Sequence, residues 1–499
     1  MHVVVVVTTL GVAFTSPASA EFRTAVAVTN ATVVTGTGVT IEAGTIVMEG
    51  GRIIAVGRDV DVPSDAERVD ATGLIVYPGF IDAYTHIGIP AATRTSEERS
   101  RIEDVNPDPR EGPLAATRAA NRRGVSPEVD ALELYVPDEA QLEPHRAAGF
   151  TAALIAPREK LLGGRSCLLS LSGEPKRRSV IATPVAMHGS FDPGEEGEYP
   201  TTLMGAIAQI RQVMSDARWY AKAHKYAARH PMSARRVPTD ATLEALQPLI
   251  ARSQRVIFEA NTENEIRRAL DLASELDLEA VISGAREAWK LVDRIKAEHV
   301  ALVVTLKLDE EPEFGRESEA DRKRCTESEA PDVATRRAKY YEPLKLRAER
   351  RRLWDEQLDN VVRLHEADVG FSLSTNGFEK PSEFFCNLRR VIRRGLPVHA
   401  AVGALTAAPA ELFGQAAQLG VIAPGRTANL TLLDKPLSDD EAKARLVFID
   451  GRKFRIDVKS KTKDEDEKEK EEKAATKDAG EVTLPKGVPT EPAWAVETL

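Results

Sequence analysis

The run Leu74-Ile75-Val76-Tyr77-Pro78-Gly79-Phe80-Ile81-Asp82-Ala83-Tyr84-Thr85-His86 constrains this chain more than any other stretch. It is apolar without alternation, bends at Pro78-Gly79, continues through Phe80-Ile81 and stops on polar residues. A strand can dispense with polar alternation only where both of its faces are covered, as in a parallel sheet flanked by helices. The cluster Asp82, Tyr84, Thr85 and His86 then falls at the C-terminal end of that strand. In parallel α/β folds this end faces the ligand crevice.

Strand and helix patterns alternate downstream. Apolar runs at Phe150–Ala156, Val180–Met187, Val256–Ala260, Leu278–Ser283, Val300–Leu306 and Val369–Ser374 are interleaved with helical patterns such as Asp138–Ala148, Met204–Ala228, Thr239–Ala251, Asn264–Leu276 and Arg286–Glu298. Repeated βα units at this spacing predict a parallel sheet. Counting the opening run gives seven strands, one short of a closed (β/α)8 TIM-type barrel, and the pattern leaves the fourth barrel strand unplaced. Gly163-Gly164-Arg165-Ser166 reads as a glycine-rich turn.

The two ends differ from the middle. Residues 22–73 hold short β-prone runs punctuated by Gly36, Gly38, Gly44, Gly50-Gly51 and Gly57, the pattern of a small antiparallel β unit. Residues 420–434 and 446–452 again read as turn-and-strand. Val3–Phe14 followed by Ser16-Pro17-Ala18-Ser19-Ala20 has the form of a secretory signal cleaved after Ala20, too short for a permanent span. Export to a periplasm or cell envelope is therefore expected. Lys459–Lys477 alternates Lys with Asp and Glu and cannot bury enough apolar surface to fold alone. Residues 482–499 carry no readable role, and the charged segment 307–340 is placed over the barrel mouth or in solvent. Cys167, Cys325 and Cys386 have no short spacing, which argues against a structural zinc site, and leave any disulfide pairing open. A net charge of −10 with 5% aromatics argues against nucleic acid as a main partner.

The Pro78-Gly79-Phe80-Ile81-Asp82 run with the following Tyr84-Thr85-His86 resembles the opening barrel strand of the amidohydrolase superfamily, in particular its imidazolonepropionase-like branch. The C-terminal runs Gly420–Asp434 and Leu446–Arg452 resemble that family's closing strands, with Asn429 where an Asp is usual. The resemblance implies a barrel over residues 74–417 and a composite β-sandwich from residues 22–73 and 418–456, followed by a charged tail over 457–481. It also implies hydrolysis of non-peptide C–N bonds with a divalent metal at the strand ends. The family's metal ligands are a His-X-His pair on the first strand, a His on each of the fifth and sixth strands and an Asp on the eighth, with a carbamylated Lys or a Glu on the fourth in some branches. Carried over one position at a time, only His86 survives from the pair, because Tyr84 replaces the other imidazole. Glu259 stands at the fifth-strand position, Ser283 or Gly284 at the sixth, and Thr375-Asn376 at the eighth. A neutral phenol is a poor ligand near pH 7, and an amide does not accept the proton of a nucleophilic water as a carboxylate does.

With four of five ligand positions changed, the expectation is an exported, degenerate, metal-free homologue without a cofactor. It would bind a small molecule at the barrel mouth or support a homologous subunit, with Tyr84, Asn261 and Asn376 as ligand-binding candidates. The alternative is an active hydrolase of cyclic amides or acyl-amino acids with one divalent metal, such as zinc, on His86 and Glu259. A third, metal-free scheme would pair Asp82, Glu259 or Glu379 with His86 or His188; of these, Asp82 and His188 are the catalytic candidates. His188 by itself reads most simply as a hydrogen-bonded histidine at a strand end.

Overall fold

The computed structural model describes residues 25–90, 124–158, 160–192, 200, 202–232, 237–312 and 344–456. The signal-like segment, most of the 307–340 insertion, Cys325 and everything after residue 456 lie outside them.

The N-terminal β-prone runs form β1 (Val26–Val34), β2 (Thr40–Glu49), β3 (Arg52–Gly57), β4 (Glu67–Asp70) and β5 (Ile75–Pro78). They share one eight-stranded sheet with three strands from the far end of the chain, described below as β16 to β18. Its edge strand β3 also meets the turn before β16, where the Ile53 N–H donates to the Arg426 carbonyl at 2.9 Å. The apolar residues of both halves, among them Val28, Val33, Ile46, Leu430 and Phe448, meet in one interior. A β unit made from both chain ends is thus present.

Ile75–Pro78 belongs to this sheet, and Phe80–Thr85 (β6) belongs to the next one. Pro78-Gly79 is the corner between them. A Cβ on residue 79 would lie 2.3 Å from the Thr151 hydroxyl, so only glycine lets the chain turn this close to its neighbour.

From β6 the strands follow in the order β7 (Phe150–Ile155), β8 (Leu162–Arg165), β9 (Cys167–Ser170), β10 (Val180–Ala182), β11 (Ala186–Gly189), β12 (Arg255–Ala260), β13 (Ala280–Gly284), β14 (Ala301–Thr305) and β15 (Phe371–Ser374). The sheet of the chain ends is then completed by β16 (Leu430–Leu433), β17 (Ala444–Ile449) and β18 (Arg452–Arg455), with β16 antiparallel to β5. The longer helices are α1 (Glu139–Ala147), α2 (Leu203–Arg229), α3 (Glu263–Glu275), α4 (Val292–Ala297), α5 (Leu344–Glu366), α6 (Pro381–Arg393), α7 (Val398–Leu405) and α8 (Ala407–Leu412). Helix α3 opens on a capping box, Thr262 with Glu265, a signal visible in the sequence. The pattern over 239–251 is not one helix but two short ones, Ala241–Ala245 and Gln247–Ile250.

The unplaced strand is the third of the barrel and not the fourth, and it is the segment read from sequence as a glycine-rich turn. β8 and β9 form one kinked strand around Ser166, and it runs against its neighbours rather than with them. β9 pairs antiparallel with β7, and β8 pairs antiparallel with β11. The run over 180–187 is divided, because β10 forms a side hairpin on β9 while only β11 joins β12 in parallel. Periodicity could not show this, since Gly163-Gly164 carries no side chains to pattern. Gly164 is admitted because a Cβ there would lie 2.4 Å from the Val129 carbonyl.

The ladders leave one seam. β12 to β15 pair in parallel without interruption, but β15 has no ladder to β6 among the described residues, so the strands are recorded as separate sheets of four and six. Asp82 bridges this seam. One carboxyl oxygen accepts from the Thr375 N–H at 3.0 Å and the Tyr84 N–H at 3.2 Å, and the other accepts from the Thr375 hydroxyl. Burial lifts the Asp82 carboxyl to about 6, against the opposing pull of the Thr375 and Tyr84 donors.

The folded value lies above the unfolded one, so between about pH 4 and pH 6 the folded chain keeps a proton that the unfolded chain has lost. Asp82 therefore favours folding most below this window, and its contribution falls as pH rises through it. The urea unfolding free energy of the native chain, relative to Asp82→Asn, should drop by about 2–3 kcal/mol from pH 4 to pH 6.5. A difference that stays flat with pH would mean that the buried carboxyl ionises without cost.

Candidate functional site

The barrel interior is apolar at mid-height, where Ile81, Ala83, Leu154, Ala186, Ile257 and Val281 meet. Side chains two residues further along a strand return to the same face. The next inward positions are therefore His188 above Ala186, Glu259 above Ile257 and Ser283 above Val281. On β15, Phe371 and Leu373 join the outer, helix-facing core, so Ser372 and Ser374 take the inward face. On β6 the register breaks between Asp82 and Thr85, and Tyr84 packs with the inner cluster.

Four of the side chains around this mouth carry buried polar atoms without the partners that burial demands. Both ring nitrogens of His188, Oγ of Ser283, Oγ of Ser374 and Oδ1 of Asn261 have no hydrogen-bond partner among the described residues. His188 is 4% exposed, and the two serines are 1% exposed. His188, Ser283 and Ser374 stand on alternate strands, the arrangement by which such barrels build an interior layer. Leaving a buried donor or acceptor unpaired costs about 1–3 kcal/mol, so the cluster is a concentrated loss of stability.

Burial, with His86 nearby, pushes His188 down to about 3. It is neutral at ordinary pH and offers one N–H donor and one acceptor nitrogen. His86 Nδ1 lies 3.0 Å from the Ala156 carbonyl, which only accepts, so this nitrogen carries the proton and Nε2 is left as the acceptor. The Tyr84 ring packs against both imidazoles, with centroids 5.3 Å from His86 and 5.1 Å from His188. Asn261 is held over β13, where a Cβ on Gly284 would lie 2.4 Å from its Oδ1.

The other candidates fall elsewhere. Asp82 is fully buried in the seam, with its oxygens committed to Thr375 and Tyr84. Asn376 follows β15, and its carbonyl accepts from the Thr305 hydroxyl at 2.8 Å. Glu379 is exposed beyond it. The reading of His188 as a hydrogen-bonded strand-end histidine is corrected, since neither nitrogen has a partner among the described residues. Sequence reasoning missed Ser374, although the alternation Phe371-Ser372-Leu373-Ser374 carries its signal. Cys167 is buried with a free thiol, and Cys386 is half-buried. A cavity of about 590 Å³ opens at the opposite, N-terminal strand ends, between Arg255, Lys296, His299, Asp368 and Glu411, away from this cluster.

The class defined by this geometry is an α/β barrel with a composite β-sheet unit and its polar side chains at the C-terminal strand ends. The model of the Amidohydrolase family matches residues 257–458. Over 64 residues the chain is 39% identical to an imidazolonepropionase of Vibrio cholerae serotype O1, covering 13% of this chain and 16% of that one. It is 31% identical over 100 residues to the imidazolonepropionase of Streptomyces avermitilis, covering 20% and 23% of the two chains. It is also 38% identical over 82 residues to an allantoinase of Salmonella choleraesuis, covering 16% and 14%. The first of these matches thus spans about one sixth of the relative's length. In three dimensions the chain is similar to an amidohydrolase from Thermotoga maritima, with a TM-score of 0.65 and 23% identity over 86% of this chain and all of that one. Residues 257–458 thus resemble the Amidohydrolase family, and the fold is similar in outline to that of the Thermotoga maritima amidohydrolase.

Replacing a buried polar atom that has no partner should not cost stability. Ser283→Ala and Ser374→Ala are each expected to leave the ligand-free melting temperature unchanged or raise it by a few degrees, read by scanning calorimetry. A fall of more than a few degrees for both would show that these hydroxyls already hold the fold together.

Proposed function

We propose that this chain is an exported, metal-free amidohydrolase homologue that holds a small uncharged molecule at the C-terminal mouth of its barrel. The observation that carries this reading is the set of buried polar atoms without partners on β11, β13 and β15. Neutral His188 offers one donor and one acceptor, each serine hydroxyl offers both, and Asn261 offers a carbonyl oxygen. A ligand with adjacent N–H and C=O groups satisfies this mixture. A fully ionised anion does not, because no inward-facing cation stands among these atoms.

The donor chemistry fits a resident catalytic metal poorly. Of the inherited positions, Tyr84 presents a phenol, Ser283 a hydroxyl and Asn376 an amide. The described residues bring no three or more His, Cys, Asp or Glu side chains together around one point. The packing of the Tyr84 ring against His86 and His188 also puts an aromatic face between two imidazoles that would otherwise be free to share an ion. The second reading, a divalent ion on His86 and Glu259, would use Nε2 of His86, because Nδ1 is turned to the Ala156 carbonyl.

Metal content after dialysis without chelator separates the two. The expected result, by plasma mass spectrometry, is far less than one zinc, manganese or iron per chain, unchanged by added zinc. A stoichiometric ion that His86→Ala removes would establish the metal reading instead. For the ligand, a thermal-shift screen of cyclic amides, imides and ureas should raise the melting temperature of the native chain. Ser283→Ala should lose that shift while melting normally on its own, and His188→Ala, which also removes a ring packed on Tyr84 and so melts lower, should lose it too.

A further inference from the structure

Helix α2 is a long helix whose outer side carries aromatic and basic residues. It opens on Thr202, whose hydroxyl accepts from the Gly205 N–H, and runs 27 residues, about 40 Å. Its buried positions are Ala206, Gln209, Ile210, Val213, Met214, Ala217 and Tyr220, and none lies beyond Tyr220. The last turns therefore extend past the core that holds the helix.

The exposed side is an alternating row. Trp219, Lys222, Tyr226 and Arg229 fall at spacings of three, four and three residues, which places them on one face. Trp219 is 65% exposed and Tyr226 is 59% exposed, large apolar areas for a solvated helix. The only acidic residue within the helix is Asp216, one turn before this row, and it accepts from Gln212. Arg211 is neutralised by Glu275 and Arg218 is turned onto the Leu276 carbonyl. Lys222, Lys225 and Arg229 form no ion pair with any described residue, in a chain whose net charge is −10. Asp240 and Glu244, the nearest acids in the adjoining segment, act on Tyr220, which is on the buried side.

We infer that this face of α2 is a peripheral docking surface for a bilayer containing anionic phospholipid. Each Lys or Arg close to such a surface is drawn to it, and Trp and Tyr settle at the depth of the headgroups, with ring bodies in apolar material and polar tips in water. A second copy of the chain is disfavoured, because two such rows face to face would juxtapose like charges. No described helix is long and apolar enough to cross a membrane, so the contact is one of lying against the bilayer. This inference is independent of what the barrel mouth binds.

The test is co-sedimentation of the full chain with vesicles of phosphatidylcholine alone and of phosphatidylcholine with added phosphatidylglycerol. Binding is expected only with the anionic lipid, and high salt should release it. Lys222→Glu with Arg229→Glu should weaken the partition at least about tenfold. Trp219→Ala with Tyr226→Ala should weaken it under low salt as well. All four side chains are exposed, so these variants should melt as the native chain does. The Trp219 emission, taken as the difference between the native chain and Trp219→Phe, should shift to shorter wavelength on binding. No partition into anionic vesicles, equal partition of the variants, or tighter binding to duplex DNA than to vesicles would overturn the inference.

Discussion

The barrel depends on how β6 is held at its start and at its middle. At its start, Gly79 lets the chain leave the sheet of the two termini and pass within contact of Thr151. At its middle, the Asp82 carboxyl gathers the Thr375 N–H, the Thr375 hydroxyl and the Tyr84 N–H. Those bonds stand where a ladder between the first and last barrel strands would otherwise run. A buried carboxyl is an expensive fastener, since its charge is disfavoured away from water. It is tolerable here because its donors are fixed by the backbone of the strands it joins. The same bonds orient Tyr84, so the seam and the mouth are set by one residue.

Above that seam the protein spends stability on polar atoms without partners. An apolar interior filled to the top would be the stabler solution for a barrel with no ligand to hold. Instead the mid-height layer of Ile257, Val281 and their neighbours gives way within one strand step to His188, Ser283 and Ser374. Such losses gather where a fold serves a site rather than itself.

Much of the architecture was legible in the residues. The unbroken apolar run before Asp82 marked a strand covered on both faces, and the β-prone runs at both chain ends marked their shared sheet. The helical pattern over Asn264–Leu276 marked α3. The third strand was not legible: Gly163-Gly164 offers no pattern to read, and an antiparallel member breaks the βα rhythm by which the others were counted. The division of residues 180–189 into a side hairpin and a barrel strand was hidden for a similar reason, because both pieces are apolar.

The sequence by itself determined which chemistry is available at the mouth: one imidazole from the first strand, another at the end of the fourth, a carboxylate on the fifth, and hydroxyls and amides elsewhere. These are side-chain identities, and no fold can alter them. Only the tertiary structure decided which of them are short of partners. A histidine at a strand end is satisfied or orphaned according to what the neighbouring strands bring within about 3 Å of its nitrogens, and that depends on pairings between segments a hundred residues apart. His188 and Asp82 show the two outcomes. Both are polar residues on apolar strands, but Asp82 meets two donors of Thr375 across the seam and the Tyr84 N–H on its own strand, whereas His188 faces an interior that leaves both its nitrogens to be filled from outside.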